Sequence, residues 1–387
     1  MGPTEHDVVV VGAGIIGAAC AAELATRGKS VLLLEAVGVA SDTSCRAMGH
    51  VGVYDDNPAQ LSLTRFAVRL WTELAPELPE AVEFVRRGAL WVALTDEENR
   101  EVELKERVYR QAGVEARAID SATLRRMEPN LRPGLPGALY VPGDVVLDAT
   151  EATRFLADRA VKMGADLRVG ARVRALETSG VRLDDGSRLR AGTVVVAAGW
   201  RSPEVFPGLP IRPRKGHIVL FAPRPGYVQH QVSEIGYVRG AHPGAAETIS
   251  FSFQPRTSGR YLLGATRQYV GASTDVDDRV IARLLRRARE FLPDIDSLSI
   301  ERTWTGLRPA GPDSVPIIGP APGHPEWILA VAHEGIGITT SLATGKLVSD
   351  IACGRPPSIP LDPILPNRLS ELLSDSAVPV HDAEGPP

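Results

Sequence analysis

Apolar residues are concentrated most densely near the start of the chain. Val8 to Val11 form a run of four β-branched residues, the pattern of a short buried strand. Ala18 to Ala25 follow as a small, apolar helix ended by Gly28, and Val31 to Leu34 form a second buried strand that stops at Glu35. Together they predict a complete βαβ unit. Further on the pattern alternates between charged amphipathic helices and short strands. Residues 58–87, 96–112, 120–127 and 277–292 read as helices. Residues 88–94, the segment from 166 (DLRVGARVRALE) and AGTVVVAAGW at 191–200 read as strands. A strand and loop at 137–148 lead into a helix for which Asp148 or Thr150 is a candidate cap. Residues 211–270 read as a mostly antiparallel sheet with turns at 223–226 and 257–259. The stretch 303–320 is rich in Gly and Pro, and 327–354 reads as a strand, a glycine loop and a last helix. From about 355 the chain is Pro-rich and polar, with a disordered tail expected after about 370.

Between the first strand and helix stand Gly12, Gly14 and Gly17, in the spacing G-x-G-x-x-G, with Ile15 and Ile16 between the last two. Gly12 allows a sharp turn, Gly14 a close backbone approach to a pyrophosphate, and Gly17 tight packing of helix on strand. The helix N-terminus offers free N–H groups and the positive end of a dipole. Glu35, followed by Ala36, lies at the distance where a carboxylate meets ribose hydroxyls, about 20 residues past the glycines. This unit predicts a dinucleotide site, and by itself it does not separate FAD from NAD. In the Ser/Thr-rich segment after it, Asp42, Thr43, Ser44 and Arg46 are placed to cap a helix or touch phosphate, and Gly49 and His50 to face a ring system. At the end of the 191–200 strand the small residues Ala197, Ala198 and Gly199, before Trp200, let the backbone pass close to the cofactor.

Composition narrows the choice of partners. The chain has 387 residues, enough for two domains, and 44% of them are hydrophobic. A net charge of −4 gives no sign of a nucleic-acid or membrane-surface partner. Cys20, Cys45 and Cys353 form no C-x-x-C pair, so no metal site is expected, and their sparse, odd number fits a reducing, cytoplasmic compartment. No apolar stretch approaches the ~20 residues of a membrane span. Nucleotide-binding patterns lie at both ends and in the middle, so the domains should interleave. Residues 1–80, 138–210 and 307–360 are assigned to the nucleotide domain. Residues 81–137 and 211–306 are assigned to a substrate domain, and 361–387 to a tail.

Five segments together resemble the FAD-dependent D-amino acid oxidase superfamily, in its glycine oxidase and sarcosine oxidase branch. They are VVVVGAGIIGAACAAELATRG, RPRKGHI, SGRYLLGAT, TGLRPAGPDSVPIIG and AHEGIGITTSLATGKLVSD, and the resemblance spans residues 7 to about 354. It implies an α/β plus α+β architecture, a Rossmann-type FAD-binding domain interleaved with a mostly antiparallel-sheet substrate domain. It places Glu35 on the adenosine ribose, Thr43 and Ser44 on phosphate, and the Val173 backbone on adenine. Met48, Gly49 and His50 fall beside the isoalloxazine. His333, Glu334, Gly335, Ile336, Gly337, Ile338 and Thr339 form the loop under the flavin and the start of the last helix.

Arg308 matches the arginine that binds the substrate carboxylate, where a planar guanidinium forks two hydrogen bonds. The expected chemistry is oxidation of glycine or an N-substituted glycine to an imine, hydrolysed to glyoxylate and an amine. O2 is the expected acceptor, giving hydrogen peroxide. The alternative is an opine- or amino-acid-type dehydrogenase that passes electrons to a partner protein or quinone. His50 joins Arg308 as a candidate catalytic and substrate-binding residue, and His50, His333 and Glu334 are candidates for tuning substrate protonation. In two places the chain departs from the glycine oxidase pattern. Ser252 falls where those enzymes carry a tyrosine, and Gly335 where they carry a second arginine. Both imply a roomier pocket for an N-substituent. Sarcosine oxidases tether flavin through a cysteine near the GLRP segment; none lies there, which implies non-covalent FAD. Nothing in the chain excludes a homo-oligomer.

Overall fold

The computed structural model describes residues 5–237 and 247–369; the expected disorder after about 370 lies outside them. The first elements are β1 (Glu5–Val11), α1 (Ile15–Thr26), β2 (Val31–Glu35), β3 (His50–Val51), α2 (Pro58–Leu74), β4 (Ala89–Ala93), α3 (Asp96–Gln111), β5 (Arg117–Asp120) and α4 (Ser121–Met127). Next come β6 (Gly137–Val141), β7 (Val145–Val146), α5 (Ala149–Lys162), β8 (Asp166–Val169), β9 (Val173–Glu177), β10 (Gly180–Leu183), β11 (Arg188–Val196) and α6 (Ser202–Val205). The last are β12 (Arg212–Phe221), β13 (Gln231–Glu234), β14 (Glu247–Pro255), β15 (Tyr261–Gln268), α7 (Asp278–Arg289), β16 (Ile300–Ala310), β17 (Ile317–Ala321), β18 (His324–Val331) and α8 (Gly337–Ala352).

The chain forms two compact units, each built from separated segments. The first comprises Met1–Cys45, Thr150–Arg212 and Arg308–Pro387; the second Arg46–Ala149 and Pro213–Leu307. Residues 46–80 and 138–149, assigned above to the nucleotide domain, therefore fall in the second unit. The reason is local pairing. β3 pairs with β7, Val85 bridges to Val146, and Gly88 N–H donates to the Asp144 carbonyl.

The first unit carries a sheet in the order β17-β18-β11-β1-β2-β8, with β9 and β10 attached to β11. β1 lies parallel to both β2 and β11, and β11 parallel to β18. Its core packs Val9, Val11, Leu34, Val196, Trp327 and Leu329. α1 and α8 pack against each other so closely that a Cβ at Gly345 would lie 2.6 Å from the Ala19 carbonyl oxygen. Residues 364–369 are part of this unit. Ile318 N–H donates to Ile364 O, Arg368 holds Asp313, and Leu369 joins the core.

The second unit carries the sheet β16-β12-β15-β14-β13-β4-β6-β5. It is antiparallel as expected in β12, β14 and β15, but β13 runs parallel to β4. One face packs Leu90, Val232, Phe251, Phe253 and Leu263 against Leu284, Ala288 and Phe291.

Two expectations are corrected. The helix predicted over 58–87 stops at Leu74 and gives way to short turns at Ala75–Glu77 and Glu80–Val82. Pro76 and Pro79 lack amide hydrogens and so cannot continue the helical ladder, and Leu78, before Pro79, is extended, while Ala75 before Pro76 stays helical. The strand predicted from 166 is two strands, split at Gly170 with φ of +78°: β8 pairs with β2 and β9 with β10. The Gly/Pro-rich stretch at 303–320 is mostly strand, in β16 and β17.

Candidate active site

The first unit holds a nucleotide cradle. Gly12 turns the chain out of β1 at φ +100°, and a Cβ there would lie 2.7 Å from the Ala197 carbonyl oxygen. A Cβ on Gly17 would sit 1.8 Å from Gly12 O, so only glycine lets α1 approach the turn this closely. α1 begins after Gly14 with no side-chain cap on that residue, while Ser44 Oγ accepts the Ile15 N–H at 3.0 Å. Ile16 occupies the same first turn. The Glu35 carboxylate is aimed by two backbone amides, Ala13 N–H on Oε2 and Val37 N–H on Oε1, both at 2.8 Å. Ala171 N–H donates to Glu35 O, which brings Val173, at the start of β9, to the same sheet end; Ala36 follows the acid. Ala197 N–H bonds Val11 O, so Ala198, Gly199 and Trp200 leave β11 beside the glycine turn. Trp200 Nε1 donates to Asp42 at 3.0 Å, which occupies that carboxylate within the protein. These features fit a dinucleotide pyrophosphate: an open helix N-terminus, a glycine surface that any Cβ would fill, and an oriented acid.

The last helix of the same unit supplies a second open N-terminus. α8 starts at Gly337 after Ile336, which makes no side-chain cap, and Ile338 and Thr339 are buried in its first turn. The preceding loop is tightly constrained. Ala332 and Glu334 both adopt positive φ, +62° and +40°, and Glu334 N–H donates to Pro309 O at 3.1 Å. This bond sets Gly335 over Arg308: a Cβ on Gly335 would lie 3.6 Å from both Cδ and Nε of the arginine. Asp313 Oδ2 accepts from Arg368 Nε at 2.8 Å. His333 is fully enclosed, with Nε2 3.0 Å from Thr344 Oγ1. That hydroxyl gives its one proton to Thr340 O, so His333 Nε2 must carry the hydrogen. Burial pushes His333 down to about 3, so it is a neutral donor and is corrected as a candidate for tuning protonation near neutral pH.

This burial has a measurable consequence. The folded value lies below the ordinary value of 6.5, so the unfolded chain binds a proton that the folded chain refuses. The contribution is present above pH 6.5 and is lost as pH falls toward 3. The unfolding free energy from urea titrations should fall more steeply with pH between 6.5 and 4.5 in the wild type than in His333→Gln, by up to about 1.4 kcal/mol per pH unit. Equal slopes would show that His333 is not held neutral.

The second unit carries the other predicted residues. Arg46 donates Nη1 to Thr305 O at 2.9 Å, and Trp304 Nε1 donates to Arg46 O. That edge of the guanidinium is therefore bound to the protein rather than offered to phosphate. Met48 O accepts from Gln254 Nε2 at 2.9 Å, and its sulfur lies against Gly264, where a Cβ would come within 2.7 Å. Gly49, at φ +83°, passes so close to Leu147 O that a Cβ would stand 1.9 Å away. Ser252 is buried, and its hydroxyl bonds Gln231 Nε2 at 2.8 Å and Ser233 Oγ at 2.9 Å. Its group is thus tied into the sheet while its small size is kept.

His50 sits between two partners that the sequence did not reveal. Its Nε2 lies 2.9 Å from Asp144 Oδ2 and its Nδ1 3.0 Å from the Tyr54 hydroxyl. Trp91 stands beside both rings. Asp144 lies in a Pro-Gly-Asp turn that reads as surface loop, and only the β3–β7 pairing brings it to His50. A conspicuous pairing signal was absent, because the two residues are 94 positions apart.

The chain matches the family of FAD dependent oxidoreductases (DAO) over residues 7–351. It belongs to that family, and its dinucleotide is FAD. It is 30% identical to the glycine oxidase of Geobacillus kaustophilus, over 89% of this chain and 92% of the relative. It is 27% identical to the hydrogen cyanide synthase subunit HcnC of Pseudomonas aeruginosa, over 92% and 94% of the two chains. The fold superposes on the crystal structure of the Geobacillus kaustophilus glycine oxidase with a TM-score of 0.84, at 28% identity, covering 93% of this chain and 98% of that one. Among the described residues no group of three or more His, Cys, Asp or Glu is placed to hold a metal ion, and no helix is long and apolar enough to cross a membrane.

Proposed function

We propose that the protein is an FAD-dependent amine oxidase. It oxidises glycine or, preferentially, an N-substituted glycine to an imine that water hydrolyses to glyoxylate and the amine, with O2 reduced to hydrogen peroxide. The observation that carries this reading is Arg308 under the bare backbone of Gly335. A guanidinium there can fork two hydrogen bonds onto a carboxylate, while the glycine leaves the space beside it unfilled.

Bound FAD supplies the two-electron acceptor. The protein does the rest. Glu35 and the α1 N-terminus hold the nucleotide. The α8 N-terminus presents a positive dipole end to developing negative charge. Arg308 fixes the carboxylate, and neutral His333 braces the loop that carries Gly335. None of the three cysteines, Cys20, Cys45 and Cys353, lies near the GLRP segment where sarcosine oxidases tether flavin. FAD is therefore held non-covalently, and acid precipitation should leave the yellow colour in the supernatant.

The test is peroxide release in air from the purified protein with glycine, sarcosine, N-ethylglycine and iminodiacetate. Turnover of N-substituted glycines above glycine is expected. In Gly335→Arg the preference for the bulkier amines should fall about tenfold relative to glycine. Flavin bleaching under anaerobic conditions with no peroxide in air would instead establish a dehydrogenase. Glycine as the best substrate would remove the roomier-pocket reading.

A further inference from the structure

Residues 364–369 return to the first unit and close on the loop that follows Arg308. They lie along β17: Ile318 N–H donates to Ile364 O at 2.9 Å, and a Cβ on Gly319 would stand 2.5 Å from Leu365 Cδ2. Ile364, Pro366 and Leu369 are buried. Arg368 is seated on this base, its Nη1 donating to Leu365 O at 2.9 Å. The rest of its guanidinium holds the loop at 311–316. Nε and Nη2 fork onto the two carboxylate oxygens of Asp313 at 2.8 and 3.3 Å. Nη2 also donates to Val315 O at 2.7 Å and to Pro316 O at 3.2 Å. Its side chain is only 16% exposed.

The clasp encloses a strained residue. Ser314 has φ +59°, a left-handed conformation that side chains other than glycine seldom adopt. Such a residue persists where its neighbours are fixed from several sides. Here Asp313 Oδ1 accepts the Val315 N–H at 3.0 Å, while Arg368 binds the Asp313 carboxylate before Ser314 and the Val315 carbonyl after it. One planar guanidinium thus spans a carboxylate and two backbone carbonyls, a geometry that a lysine ammonium cannot reproduce.

The other end of the same loop leads into the arginine. Arg308, Pro309 and Ala310 end β16, and Gly311 opens the loop. Glu334 N–H donates to Pro309 O at 3.1 Å, and a Cβ on Gly311 would stand 3.0 Å from Ala332 Cβ. Residues 308–311 therefore run against residues 332–335, where Ala332 and Glu334 are themselves left-handed. β17 starts directly after the loop and pairs Ile317 with Val331, one residue before Ala332. The two strained loops are thus held together by the β17–β18 ladder on one side and by Arg368 on the other. Both lie in the first unit, as does the contact of Gly335 with the Arg308 stem.

We propose that Arg368 is a positioning residue for the substrate-carboxylate site: by clasping Asp313, Val315 and Pro316 it holds the 311–316 loop against Ala332 and so sets Arg308 relative to Gly335. This rests on the reading of Arg308 above as the carboxylate ligand. Arg368 acts through the loop, its guanidinium engaged on protein oxygens, and no bond is made or broken through it. Two parallel hydrogen bonds onto a carboxylate require the plane of the binding guanidinium to be fixed. The carboxylate is held alike before and during oxidation at Cα, so a slackened loop raises KM and leaves kcat near its wild-type value.

The test uses FAD-loaded wild type, Arg368→Ala, Arg368→Lys, Asp313→Asn, Arg308→Leu and the double variant of Arg308→Leu with Arg368→Ala. It reads kcat and KM with sarcosine, and the Kd of acetate, a carboxylate with no amine to oxidise, from the flavin absorbance. Arg368→Ala should raise the sarcosine KM and the acetate Kd about tenfold each, with kcat changed less than about threefold. Asp313→Asn should move both in the same direction, and Arg368→Lys should recover only part of the loss. In the double variant the acetate Kd should match that of Arg308→Leu within about twofold, because nothing is left to position. Effects that multiply in the double variant, a fall in kcat at unchanged KM, or wild-type constants in Arg368→Ala overturn the clasp. Should Arg368→Ala not fold, wild-type KM and Kd in Asp313→Asn overturn it equally. Failure of the underlying reading is distinguishable. If Arg308→Leu leaves the acetate Kd and the sarcosine KM unchanged, the carboxylate reading falls and the clasp with it. If Arg308→Leu weakens both and Arg368→Ala weakens neither, only the clasp falls.

Discussion

Arg308→Leu is expected to lower kcat/KM for N-alkyl glycines by on the order of 10²-fold or more while leaving FAD bound. Removing one partner of a desolvated, hydrogen-bonded charge pair costs about 2–5 kcal/mol, and each 1.36 kcal/mol is tenfold in rate. Arg308 is half-buried near the end of β16, with Gly335 against its stem, so water has limited access to replace the lost fork. Arg308→Lys keeps the charge and loses the planar fork, and should recover only part of the loss. The measurement is steady-state peroxide release together with the flavin spectrum. If Arg308→Leu keeps wild-type kcat/KM, the carboxylate is bound elsewhere and the proposed substrate class loses its support.

Gly17→Ala is expected to abolish FAD binding. The added Cβ would stand 1.8 Å from Gly12 O, a backbone atom that cannot rotate away. Relief requires α1 to lift from β1, and this moves the N–H groups of the helix start that would meet the pyrophosphate. Overpacking at such a site costs about 3 kcal/mol. Purified Gly17→Ala should be colourless and should show no rise in melting temperature when FAD is added, whereas the wild type should show one. Full retention of FAD would mean that close helix–strand packing is not what builds the cradle.

The cradle was legible because its signal is local. Gly12, Gly14, Gly17 and Glu35 lie within one βαβ unit, where backbone sterics and strand length fix their relation. The five segments that mark the family were likewise contiguous stretches. The boundary between the units was not legible, because residues 46–80 and 138–149 take their partners from distant parts of the chain. The end of α2 was misread for another reason: apolar spacing continues past Leu74, and Pro76 and Pro79 override it.

Candidate residues divide the same way. Arg308 and Gly335 were each singled out, but their contact depends on the Glu334–Pro309 hydrogen bond, which no spacing announces. His333 looked like a titrating group until enclosure by α8 made it a neutral donor. His50 was visible as a histidine beside glycines, whereas Asp144 and Tyr54 became its partners only through the antiparallel β3–β7 pair and the room left by Gly52.

The sequence by itself determined the dinucleotide cradle, the alternation of elements and the family, since these rest on short-range periodicity and on contiguous motifs. Only the tertiary structure decided which histidine is sealed and which is paired, and which acid meets an imidazole. Burial and hydrogen-bond partnership are properties of residues that lie far apart in the chain and are brought together by sheet pairing.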